Sequence, residues 1–81
     1  MLFEIGKQIR DARKARKISQ SNLGKALGMS RTTIGQIENG TVQEIGVRKL
    51  IRLLEYLGLE LKIREAGKPP TLDELRREDY P

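Results

Sequence analysis

The chain has 81 residues, 37% hydrophobic and 4% aromatic, and its 16 Lys/Arg against 11 Asp/Glu give a net charge of +5. It contains neither Cys nor His, which excludes disulfides and thiolate metal sites and removes the commonest general base and the commonest metal ligand. Catalysis, a cofactor and a bound metal are therefore not expected, and a single small domain that buries only about 60–65% of its unfolded surface would gain from dimerising.

The positive charge is unevenly spread. Residues 1–27 hold seven Lys/Arg (Lys7, Arg10, Arg13, Lys14, Arg16, Lys17, Lys25) against Glu4 and Asp11, whereas residues 58–81 are net −1. The basic half suits phosphates, although a solvated helix face rich in Lys and Arg has the same composition. No apolar run approaches the roughly 18 residues of a membrane span, and MLFEIGKQIR lacks the order of a secretion signal. No membrane association is expected.

Leu2, Ile5, Ile9 and Ala12 recur at spacings of three and four, one stripe of a helix that should end near Lys17. Ser19 is a suitable N-cap for a second helix over 20–27, with Leu23, Ala26 and Leu27 inward and Gly28 as its terminator. One residue later Ser30 caps a third helix over 31–39, in which Ile34 and Ile37 face inward and Gly40 closes the end. After a looser stretch over 41–46, Val47, Leu50, Ile51, Leu54 and Leu57 mark a fourth helix closed by Gly58. Leu59, Leu61 and Ile63 then alternate with Glu60, Lys62 and Arg64, the period of a strand with one apolar face. Residues 66–70 read as a turn, and Thr71 with Glu74 forms a capping box for a short helix to about Glu78. The fold class is thus mainly α: a helix-turn-helix domain over 1–58, then a strand and tail over 59–81 for dimerisation or partner docking.

The helices at 20–27 and 31–39 are joined by about three residues. Such a link cannot fold two helices back antiparallel and sets them near 90–120°, the geometry of a helix-turn-helix. Gly28 supplies a positive φ, Met29 plugs the corner, and Ser30 caps the next helix. Gly24 provides a small residue where the two helices cross.

The stretch ISQSNLGKALGMSRTTIGQIENG resembles the helix-turn-helix of the Cro/repressor (XRE) family, through Ser19-Gln20, Leu23-Gly24, Gly28, Ser30, Ile34, Ile37 and Glu38-Asn39-Gly40. The likeness extends over residues 5–57. Gly24 departs from the family's usual Ala, and Gly35 stands in mid-helix, either to let the helix approach DNA or as tolerated drift. The resemblance implies base-reading roles for Arg31, Thr32 and Gln36; Arg suits guanine and Gln suits adenine. It implies backbone contacts at Gln20, Ser30, Thr33, Asn39 and Thr41, although capping and turn chemistry explains Gln20, Asn39 and Thr41 equally well. It also implies a structural ion pair between Arg13 and Glu38, joining the first helix to the end of the third.

The strand at 59–65 stands alone in the chain, and a strand cannot satisfy its own ladder. Its expected partner is the same strand of a second copy, with Leu59, Leu61 and Ile63 covering the bundle. This ending resembles HipB-like antitoxins within the family, which implies repression of a shared operon and a HipA-like kinase toxin as partner. The reading as a whole is a homodimeric, cytoplasmic repressor of bacterial type, nucleoid-associated when bound to a palindromic operator. The alternative is a protein-interaction adaptor whose helix-turn-helix no longer reads DNA.

Overall fold

A computed structural model describes residues 1–67. Four helices follow in chain order: α1 (Leu2–Ala15), α2 (Gln20–Leu27), α3 (Arg31–Asn39) and α4 (Val47–Tyr56). The expected helix from Thr71, with its capping box, lies outside the described residues. α3 packs chiefly against α1 and α2, and α2 also meets α4.

Local chemistry sets the helix ends. The Ser19 hydroxyl accepts from the Asn22 N–H at 3.0 Å, and the Ser30 hydroxyl accepts from the Thr33 N–H at 3.1 Å, so each Ser satisfies an amide that the first helical turn leaves unpaired. Gly28 ends α2 at φ +69° and Gly40 ends α3 at φ +74°, backbone conformations that side-chain-bearing residues rarely adopt. α1 stops two residues earlier than its apolar stripe suggests. Lys17 takes φ +57°, and its N–H donates to the Lys14 carbonyl while that of Ile18 reaches back to Arg13.

The core is a single cluster of Ile9, Leu23, Leu27, Ile34, Ile37, Leu53, Leu54 and Leu57. Ile5, Ala12, Ile18, Met29, Val42, Ile45, Leu50 and Leu59 pack around it. Each helix therefore stabilises the domain by removing one apolar stripe from water, at roughly 25 cal/mol per Å². One inward assignment is corrected, since Ala26 is exposed; and of the apolar residues that mark α4, Val47 and Ile51 are exposed, while Leu53 is fully buried. The apolar stripe of α4 is wider than the bundle can cover, and the buried arc is centred on Leu53, Leu54 and Leu57.

Among the described residues there is no strand. Residues 59–65 make no ladder with any other described residue. Leu59 alone of the three alternating apolar residues packs on the core; Leu61 is 47% exposed and Ile63 92% exposed. The covering expected of Leu59, Leu61 and Ile63 belongs to a paired dimer; in one copy Leu59 alone supplies it. A turn follows at residues 66–67.

Candidate nucleic-acid interface

The helix-turn-helix is closed by contacts between backbones. The Met29 N–H donates to the Gly24 carbonyl at 2.8 Å, folding the turn onto α2. A Cβ at Gly24 would run into the Met29 carbonyl oxygen, so this turn fits glycine in place of the more usual Ala.

Below the turn lies a buried polar knot. Arg13 Nε donates to Glu38 Oε2 at 2.6 Å and Arg13 Nη2 to Glu38 Oε1 at 3.1 Å, a bidentate pair between α1 and the last turn of α3. Arg13 is 8% and Glu38 4% exposed. Charges this deep are tolerated because their remaining sites are filled: Arg13 Nη1 donates to the Ile18 carbonyl at 2.7 Å, and Gln20 Nε2 donates to Glu38 Oε1 at 3.1 Å. Among the described residues no buried side-chain polar atom lacks a partner. The knot ties the end of α1, the start of α2 and the end of α3 together.

α1 also grips the end of α3 by close approach. A Cβ at Gly6 would overlap the carbonyl oxygens of Ile37 and Glu38, and one at Gly40 would lie 2.8 Å from the Cα of Phe3. Sequence reasoning passed over Gly6; an isolated glycine inside an otherwise regular helical stripe was the available signal.

The outward face of α3 is left free. Arg31, Thr32, Gln36 and Asn39 are exposed. Arg31 and Thr32 occupy the first turn and Gln36 lies one turn further on, the part of such a helix that meets base edges in the major groove. Thr33 is half-buried, with its hydroxyl 2.9 Å from that of Ser30, so these two side chains cap the helix. Thr41 is likewise occupied at the end of α3: its N–H donates to the Gln36 carbonyl at 2.9 Å and its hydroxyl leans toward the same oxygen. Gln20 commits one amide hydrogen to Glu38 and keeps the other, beside the start of α2. Lys7, Arg10, Lys14, Arg16, Lys17 and Lys25 are exposed. Arg16 is more than a solvated charge, because its guanidinium lies against Gly58, where it meets the negative end of α4.

Two short capped helices, a glycine turn, and a third-helix face that is polar outside and clamped inside define a helix-turn-helix domain. The helix-turn-helix family model matches residues 9–63, and the chain belongs to this family, in its Cro/repressor (XRE) branch. It is 32% identical over 71 residues to the ImmF control region 10 kDa protein of Bacillus phage phi105, aligning 88% of this chain with 78% of that one. It is 40% identical over 68 residues to the uncharacterized HTH-type transcriptional regulator y4dL of Sinorhizobium fredii. The match takes in 84% of this chain and 34% of y4dL, so the chain spans about a third of that protein's length. A similar solved structure is that of FeII HppE in complex with substrate, at 25% identity and TM-score 0.67. There the match covers 74% of this chain and 34% of the other, so the likeness concerns the helical domain alone. Among the described residues no helix is long and apolar enough to cross a membrane.

Proposed function

We propose that this chain is a sequence-specific transcriptional regulator of double-stranded DNA, a non-catalytic repressor that works as a homodimer on an inverted-repeat operator. The observation that carries this reading is the division of α3 into a face locked by Ile34, Ile37 and Glu38 and a face that presents Arg31, Thr32 and Gln36 to solvent. Insertion of α3 into the major groove lets Arg31 donate two hydrogen bonds to a guanine and Gln36 exchange two with an adenine, while Thr32 meets a neighbouring base. Gln20, Ser30, Thr33, Asn39 and Thr41 stand at the helix ends that border the groove, where contacts to phosphate set register rather than sequence. The excess of basic residues in 1–27 adds long-range attraction. A phage control-region protein and an HTH-type transcriptional regulator among the relatives point the same way.

An adaptor would be expected to show an apolar patch where partners dock; the exposed side chains of α3 are all polar. A HipA-like kinase as partner rests on the pattern of residues 59–65 alone, and a DNA-binding regulator accounts for α3 without it.

Selection of bound sequences from a random DNA pool, followed by footprinting, tests the proposal. The expected product is an inverted repeat with half-sites about 34–36 Å apart, bound with an affinity that falls steeply with salt. Arg31→Ala and Gln36→Ala should each cost about 1–3 kcal/mol of discrimination at one base pair and leave the melting temperature unchanged. Recovery of no preferred sequence, or equal binding by both variants, would overturn it.

A further inference from the structure

We propose a specific register for the dimer contact: residues 60–62 pair antiparallel with the same residues of a second copy, with Leu61 facing the partner's Leu61 across the two-fold axis. This rests on the homodimer reading above and fixes which residues meet. The charge pattern selects it, and the backbone at the end of α4 then fixes which residues carry the ladder. Glu60 and Lys62 lie on one side of the segment, 3.6 Å apart and well exposed. With Leu61 on the axis, each Glu60 faces the partner's Lys62, and Leu59 faces the partner's Ile63. One face is then wholly apolar and the other carries two opposite-charge pairs. Moving the axis to Lys62 sets Lys62 against the partner's Lys62 and Leu59 against the partner's Glu65. Moving it to Glu60 opposes two carboxylates, and moving it to Ile63 sets Lys62 against the partner's Arg64.

Part of the backbone beside this segment is already committed. The Leu59 N–H donates to the Leu54 carbonyl at 2.7 Å and the Gly58 N–H to Glu55 at 3.0 Å, closing the end of α4. Antiparallel ladders use the N–H groups of alternate residues. With that of Leu59 already spent, the ladder falls on Glu60 and Lys62, which exchange four hydrogen bonds with their symmetry mates. Leu61 then occupies a non-hydrogen-bonded pair, the closer kind, at about 4.5 Å between Cα atoms. The same register carries the partner's Ile63, 92% exposed in one copy, onto Leu59, which already rests on the core.

The absence of cysteine makes the test clean. Sedimentation of the unmodified chain first measures the dimer. Leu61→Cys, Lys62→Cys and Ile63→Cys are then oxidised as separate single-cysteine variants. A self-opposed residue 61 lies inside the 4.4–6.8 Å range of a disulfide, whereas two copies of residue 62 stand about 8 Å apart and of residue 63 farther. The expected result is rapid covalent dimer from Leu61→Cys and little from the other two. Separately, Glu60→Lys should weaken the dimer about ten-fold or more, and Glu60→Lys with Lys62→Glu should restore it. A monomeric native chain would overturn the dimer itself. A native dimer in which Lys62→Cys or Ile63→Cys links fastest, or in which none links, would overturn the register and leave the dimer standing.

Discussion

Replacing Glu38 by Ala tests the knot that fixes α3. The carboxylate accepts hydrogen bonds at 2.6, 3.1 and 3.1 Å, two from Arg13 and one from Gln20. Its loss leaves the Arg13 guanidinium, 8% exposed, with one carbonyl partner at Ile18. Removing one member of a buried pair costs about 3–5 kcal/mol, because the other charge stays buried and uncompensated. A domain of this length has roughly 4–12 kcal/mol in total, at about 0.05–0.15 kcal/mol per residue. Each kcal/mol corresponds to about 4–8 °C in a domain this small, so the midpoint should fall by roughly 12–40 °C. Thermal melting followed by circular dichroism at 222 nm measures it. A variant within about 4 °C of the native chain would refute the reasoning. The double replacement Arg13→Met with Glu38→Met should melt above Glu38→Ala, since two apolar side chains need no partners.

Gly6→Ala should destabilise by about 1–3 kcal/mol, because its methyl group meets the Ile37 and Glu38 carbonyls rather than a side chain that can move; a native-like urea midpoint would contradict this. Gly35→Ala should do the reverse. Its nearest neighbour would be Gln20 Nε2 at 3.9 Å, an ordinary contact, so the helix gains about 1 kcal/mol and the melting temperature rises. Ser30→Ala removes the cap on the Thr33 N–H and should cost about 1 kcal/mol by denaturant titration, with little change if the cap is dispensable.

The helix-turn-helix was legible because its signals are local. Ser19, Ser30, Gly28 and Gly40 each act within a few residues of themselves, and α2 and α3 begin and end where those residues place them. The Arg13–Glu38 pair was legible through resemblance alone, since its partners are 25 residues apart. The orientation of α4 was not. Periodicity gives the width of an apolar stripe, whereas the edge that faces inward depends on what α2 presents, and so Leu53 is buried where Val47 and Ile51 are not. The donation from Gln20 to Glu38 gave no sign in the sequence, because an amide side chain in the first turn of a helix suits phosphate and carboxylate alike. Residues 59–65 show the limit from the other side: alternation identifies what a strand needs, but the ladder requires a partner.

α1 holds α3 by its C-terminal end, through Gly6, Phe3 against Gly40, and Arg13 on Glu38. Arg31, Thr32 and Gln36 take no part in that hold. The fold therefore keeps its anchorage and its vocabulary in separate residues of one short helix. If α3 reads DNA as proposed, new operators can be addressed by exchanging the three outward side chains while the contacts that anchor the helix stay unchanged, and a backbone already held at one end needs little further ordering to meet the groove.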